Sequence, residues 1–374
     1  MMKHLFCILL SAVLLASCAG KTGGEATSAA GDTLTTDAEL LTLVKHDGWV
    51  SATIADPWSQ GKTLATYCFV PRTSEVPAEL SSQKDVVIIR TPVKSAIVYS
   101  SVYTQGIEDL GQAQTIKGVA DAEFFTHGYV KKHLDSGDIA NIGLSSSPSM
   151  EKIVDVSPDV LILSPYEANR NDRVLDKTGV AVIRMVDYME STPLGRAEWI
   201  KLLGVMYDDI EGANKVYAST SNNYKEISRL VAAGDSRPIV LTDTEVSGTW
   251  YQPGGGSYAA HLIQDAGGQV AWNETSSTGS LPCDYAAVYE RATNAPIWIM
   301  RTFGKTSLED LRKANPLNGN IKALKDGKVY YTDTSTGTYF DDIAFHPDRI
   351  LSDYAAMFHP EVWNKPLKYF VKAQ

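Results

Sequence analysis

The sequence predicts an α/β protein in which two Rossmann-like lobes, each with a mainly parallel central sheet, are joined by one long bridging α-helix. Three observations lead there. Short apolar runs of strand length alternate with helical stretches, the pattern of parallel strands covered on both faces. One amphipathic helix near the middle is longer than a crossover connection needs. The segments on either side of it echo each other: Ser157-Pro158-Asp159-Val160-Leu161-Ile162 returns as Ala295-Pro296-Ile297-Trp298-Ile299, and Ala96-Ile97-Val98 as Ile239-Val240-Leu241, at offsets of 138 and 143 residues.

The chain begins with a weakly positive end at Lys3 and an apolar run from Leu5 to Ala16. A membrane span needs roughly 20 apolar residues, so this run is too short to cross and suits an export signal over residues 1–17. It stops at Leu15-Ala16-Ser17-Cys18, which looks like a bacterial lipobox and makes Cys18 the expected lipidation site. Residues 18–38 are mostly Gly, Ala, Ser and Thr and are expected to be a flexible tether, because they offer little apolar surface to offset ordering.

The first lobe is expected over 39–209. Val50–Ala55 and Thr63–Val70 flank Asp56-Pro57-Trp58 and read as a hairpin, and Val86–Arg90 is a further short apolar run. Ala96–Val98, Val160–Leu163 and Val180–Met185 read as buried strands, with Met150–Val156 helical before the second. Residues 210–234 form the bridging helix: Ile210, Ala213, Tyr217, Thr220, Tyr224, Ile227 and Val231 recur at steps of three and four, leaving one buried face. The second lobe, 235–374, restarts the alternation with strands at Ile239–Leu241, Ile297–Met300 and Val329–Tyr331. It closes on an amphipathic helix over Pro347–Phe358.

Composition narrows the function. A net charge of −10 and the absence of a basic run exclude a polyanion binder, so no nucleic-acid partner is expected. Neither a GxSxG elbow nor HExxH occurs, so no catalytic residues are assigned and the chain is read as a binder and not an enzyme. Cys68 and Cys283 lack zinc-site spacing and are expected to be unpaired. Asp341, Asp342, His346, Asp348 and His359 invite a metal reading, but Pro347 and Asp348 suit the first turn of a helix and His359 its end, so no metal or cofactor is assigned. Gly254-Gly255-Gly256 lacks the Lys-Ser/Thr of a phosphate loop and is read as a flexible pocket loop.

Ligands of open α/β sheets bind beyond the carboxyl ends of the strands. In the first lobe that rule selects Tyr99, Ser101, Tyr103, Tyr166, Arg184 and Tyr188. In the second it selects Trp250, Tyr251, Gln252, Arg301, Phe303, Tyr339 and Asp341. Aromatic faces bury large flat or chelate surfaces, and arginines suit ligand carboxylates or phosphates.

Several stretches in order along the chain carry a family resemblance. They are Ser149-Met150-Glu151-Lys152-Ile153-Val154-Asp155-Val156-Ser157-Pro158-Asp159, Gly195-Arg196-Ala197-Glu198-Trp199-Ile200, Trp250-Tyr251-Gln252-Pro253-Gly254-Gly255 with Ser257-Tyr258, and His346-Pro347-Asp348-Arg349 through Phe358-His359-Pro360. Over about residues 90–365 the chain resembles the class III substrate-binding proteins of ABC importers, which serve ferric siderophores, haem and cobalamin. The resemblance implies a monomeric, lipid-anchored receptor of the cell envelope or periplasm. It would capture a metal chelate or corrinoid between its lobes and deliver it to a membrane permease. Tyr258 joins the pocket residues by this likeness. It also implies docking to the permease through an acid on each lobe. Glu151 matches the first; Ala286 stands where the second is expected, with Asp284 or Glu290 nearby. A stand-alone scavenging lipoprotein and a periplasmic hydrolase on the same fold are the alternative readings.

Overall fold

The computed structural model describes residues 31–83, 85–169, 174–234 and 236–374. The signal segment, Cys18 and the tether up to residue 30 lie outside the described residues.

A five-stranded sheet comes first, in sequence order: Asp32–Thr33, Leu41–Lys45, Val50–Ala55, Thr63–Pro71 and Val86–Thr91. The expected hairpin is its centre, with Val50 opposite Phe69 and Ala52 opposite Tyr67. Alternation points Leu41, Leu43, Ala52, Ile54, Tyr67 and Phe69 to one face, where they join the core of the first lobe. The last pair is parallel. Residues 32–38, assigned to the tether by composition, are held in the fold. Asp32 pairs with Lys45, and the buried Glu198 carboxylate accepts the backbone N–H groups of Thr36, Asp37 and Ala38 at 2.7–3.0 Å. A polar segment with no apolar pattern is thus fixed by its backbone, which composition does not register.

The first lobe's sheet runs Ala181–Arg184, Val160–Leu163, Ala96–Val98, Ile116–Val119, Ala140–Asn141 in space, all parallel. The second lobe's order is Gln269–Val270, Ile239–Thr242, Ile297–Thr302, Val329–Asp333, Val371–Lys372, parallel except for the last strand. The bridging helix is Ile210–Ala232, about 34 Å long at 1.5 Å per residue. Asp209 caps its start by accepting from Gly212 N–H at 2.9 Å. Its buried face is divided between the lobes: Ala213 and Tyr217 pack in the first core, Tyr224, Ile227 and Val231 in the second. One rigid element therefore belongs to both cores.

A second junction lies beside it. Phe345, from the second lobe, inserts into the first lobe's core against Gly106, where a Cβ would fall 2.5 Å from the Phe345 ring. The adjoining His346 meets Asp109 of the first lobe through Nε2 and Oδ2 at 2.5 Å. The final helix, Pro347–Phe358, packs against the bridging helix. Among the described residues no helix is long and apolar enough to cross a membrane.

Candidate ligand site

The carboxyl ends of three parallel strands enclose a cavity of about 280 Å³ between the lobes. After Ala96–Val98 come Tyr99, Ser100 and Ser101. After Ile116–Val119 come Asp121, Phe124, Phe125, Thr126 and His127. From the second lobe, the stretch after Val329–Asp333 brings Thr334, Gly337, Phe340 and Asp341. Asp121 turns the chain in a left-handed conformation, φ 47°, which Asp tolerates better than most residues.

Phe124 and Phe340, one from each lobe, are exposed aromatic residues lining this cavity, at 60% and 40% exposure. Solvent-exposed rings on facing loops are the feature a ligand would cover. The Tyr99 hydroxyl is buried and has no hydrogen-bond partner among the described residues, which leaves it available to a polar group in the cavity. His127 of the first lobe contacts Asp341 of the second through Nε2 and Oδ2, so an imidazole–carboxyl contact links the lobes across the gap. Burial pushes the Asp341 carboxyl up to about 6; Asp342 and Glu108 push the same way, while His127 opposes them.

Of the residues chosen from sequence, Tyr99, Ser101 and Asp341 line this cavity. Tyr166, Tyr188, Tyr251 and Phe303 are exposed on neighbouring strand-end segments. The Tyr188 hydroxyl ties two of these together by donating to the Pro165 carbonyl at 2.8 Å. Tyr258, Arg301 and Tyr339 instead line a separate cavity of about 40 Å³ inside the second lobe, room for water and not for a chelate.

Four of the residues chosen from sequence have side chains that turn into the interior. Tyr103 donates to Asp187 at 3.0 Å within the first lobe. Arg184 is buried and its Nη2 meets Asp176 at 3.3 Å. Trp250 packs between Trp298 and Tyr285, both at 5.7 Å between ring centres, and its Nε1 donates to the Thr242 carbonyl at 2.8 Å. Gln252 donates to the same carbonyl at 2.8 Å. Trp250 and Gln252 share one face of their strand, so both are buried while Tyr251 between them faces out.

The triple glycine, expected to be a flexible pocket loop, lies hydrogen-bonded against a neighbouring segment. Gly254 and Gly256 donate to the carbonyls of Gly279 and Ser277 at 3.0 Å, and a Cβ at Gly254 or Gly255 would lie within 2.6 Å of that facing chain. The glycines permit close backbone approach. Cys68 and Cys283 are both free thiols. Asp342 is occupied by Arg349, Lys368 and the Tyr369 hydroxyl, and no group of three or more His, Cys, Asp or Glu among the described residues is placed to hold a metal ion.

Sequence reasoning missed Phe124 and His127, and with them the whole second strand-end loop. Their strand, Ile-Lys-Gly-Val at 116–119, contains a charge and a glycine and carries no continuous apolar signal.

The chain resembles known proteins along most of its length. A family model described as periplasmic binding protein matches residues 97–336. An uncharacterized lipoprotein of Methanocaldococcus jannaschii is 25% identical over 296 residues, covering 76% of this chain and 70% of that one. The ferric-anguibactin-binding protein of Vibrio anguillarum is 26% identical over 219 residues, 56% of this chain and 66% of that one. In three dimensions the chain is similar to a periplasmic binding protein from Veillonella parvula, with a TM-score of 0.60 at 14% identity over 83% of this chain and 98% of that one. The paired α/β lobes, the shared helix and the matched 97–336 segment agree: the chain belongs to the periplasmic binding protein family.

Proposed function

We propose that this protein is the solute-binding lipoprotein of an ABC importer, anchored through Cys18, and that it captures a metal complex of the iron-siderophore, haem or cobalamin kind between its lobes and passes it to a permease. The observation that carries the reading is the inter-lobe cavity. It is faced by exposed Phe124 and Phe340 and by a buried Tyr99 hydroxyl without a partner among the described residues. Such a combination of apolar faces and a few polar groups suits a bulky chelate. Two elements shared by both lobes, the bridging helix and the Phe345 insertion, favour a largely preformed cleft with small hinge motion.

The test is native mass spectrometry with an absorbance spectrum of protein purified from its own organism. The expected result is a stoichiometric passenger whose mass and visible bands mark a metal complex, together with melting stabilised by added ligand, about 2.7 kcal/mol at a hundredfold excess over Kd. Release of a chemically altered product would instead favour the hydrolase alternative.

A further inference from the structure

The charges around the cavity restrict which metal complexes it can take. This step rests on the reading that the cleft holds a chelate. Among the described residues, two carboxylates, Asp121 and Asp341, and one imidazole, His127, are the ionisable side chains that line it apart from the Tyr99 phenol. Asp341 is more than nine-tenths buried, and the neighbouring Asp342 and Glu108 add negative potential at the same spot. The strand ends of both lobes carry arginines, but those described are bound by carboxylates of their own lobe. Arg184 meets Asp176 at 3.3 Å and Arg196 meets Asp187 at 2.9 Å. Arg301 grips Asp243 through two N–H groups, Nε at 3.1 Å from Oδ1 and Nη2 on Oδ2. The expectation that arginines receive ligand carboxylates is thereby redirected: these guanidiniums serve the protein, while the cavity presents Asp121, Asp341 with His127 against one of its oxygens, and a neutral phenol.

We propose that the cleft selects an uncharged or cationic metal complex, the class that includes ferric trihydroxamates and corrinoids, over polyanionic chelates such as ferric tris-catecholates or dicarboxylate porphyrins. Asp341 and Asp121 are the specificity-determining residues. An anion entering beside them meets like charge in a partly desolvated space, which costs it about tenfold or more in affinity. A cation there is attracted and in turn favours the ionised form of Asp341. The neutral Tyr99 hydroxyl supplies a hydrogen bond to a hydroxamate or amide oxygen without adding charge.

The experiment titrates the intact protein, by quenching of its intrinsic fluorescence, against four probes: a ferric trihydroxamate bearing a free ammonium, a cationic corrinoid, haemin and a ferric tris-catecholate. One of the first two is expected to bind at least about tenfold tighter than both anions. Its affinity should fall with added salt and strengthen as pH rises through about 6, where Asp341 ionises. D341N should narrow the cation-to-anion ratio. D121N does the same on a surface loop: Asn tolerates the left-handed backbone and keeps the oxygen that accepts the Ser145 N–H at 3.0 Å, so this variant remains informative if D341N is unstable. Tighter binding of haemin or the tris-catecholate overturns the charge assignment while leaving chelate capture standing, as does an unchanged ratio in both variants. Binding of none of the four overturns chelate capture itself, and the selectivity with it.

Discussion

The phenol of Tyr67 stands in for a missing strand beside Arg184. Its oxygen accepts the Arg184 backbone N–H at 2.9 Å, and its hydrogen goes to the Val182 carbonyl, also at 2.9 Å. In an extended strand the C=O of one residue and the N–H two residues on face the same edge, so a single hydroxyl can close both. Ala181–Arg184 is the outermost strand of the first lobe's sheet. The N-terminal sheet, which precedes the family segment, is mounted there and satisfies the edge it covers.

Tyr67→Phe keeps the ring's packing and removes only the hydroxyl, taking the phenol from the buried Arg184 N–H and leaving the Val182 carbonyl the 3.5 Å approach of Arg184 Nη1. Losing a buried hydrogen-bond partner costs about 1–3 kcal/mol, so the variant should lose about 2 kcal/mol. Urea denaturation should show a lower midpoint at unchanged slope, and the Arg184 amide should exchange faster. An unaltered midpoint would mean the hydroxyl is dispensable and the sheet is held by side-chain packing alone.

Glu198 gives the fold a defined pH dependence. Burial alone would raise its pKa, but the Lys201 ammonium at 2.7 Å and the N–H groups of Ala38, Asp37 and Thr36 outweigh this and hold it below the usual carboxylate range. A folded pKa below the unfolded one means the ionised form stabilises the fold. That contribution is complete above the unfolded value of roughly 4.3 and is lost as pH falls through the folded value. Glu198→Gln should therefore be much less stable than wild type at pH 7, by about 3 kcal/mol for a broken buried pair, with the gap closing in acid. Chemical denaturation at pH 7 and pH 3 measures the gap, and equal gaps at both would remove the ionic account. Protease should also cut the variant sooner near Thr36.

How much of this was readable in advance depends on what kind of signal each element carries. Val160–Leu163 and residues 297–300 are buried on both faces and announce themselves as apolar runs, and the bridging helix shows through its three-and-four spacing. Ile116–Val119 does not, so Phe124 and His127 were invisible with it. Strand-end logic located Trp250 and Gln252 near the cleft but is silent about which face of a strand each side chain takes, and a period of two makes that an all-or-none error. The Glu198 contacts to Thr36, Asp37 and Ala38 span about 160 residues and go to backbone, so no local pattern records them.

Trp250 and Phe340 should separate stability from binding. Trp250 is fully buried against Trp298 and Tyr285, and its removal to alanine leaves a large hole and takes one of two side-chain donors from the Thr242 carbonyl, worth about 3–5 kcal/mol. Phe340 is 40% exposed on the cavity wall. Phe340→Ala should keep the melting temperature within a few degrees and weaken ligand binding about tenfold or more, as loss of an aromatic contact surface does. Calorimetric melting with ligand titration checks both. Intact affinity in Phe340→Ala and Phe124→Ala together would move the ligand away from this cavity.

The proposed permease contact is asymmetric at one position. Glu151 is the second residue of the helix Met150–Val156, capped by Ser149, and is exposed. Ala286 occupies the same place in the helix Tyr285–Ala292, where the cap is Asp284, whose carboxylate accepts the Ala287 N–H at 2.8 Å. That acid is engaged at the helix end, and Glu290 lies a turn further along, also exposed. If an acid at this helix position is what a permease grips, the first lobe carries the stronger contact. Glu151→Arg should then reduce ligand uptake by cells about tenfold or more with ligand affinity unchanged, whereas Glu290→Arg should reduce it less. Ala286→Glu, which fits a helix's second position and its positive dipole end, should leave folding intact and raise uptake or partly restore it in the Glu151→Arg background. Uptake measured with labelled ligand, beside affinity measured on the purified variants, decides the matter. Equal uptake in wild type and Glu151→Arg would show that this helix end does not meet the permease.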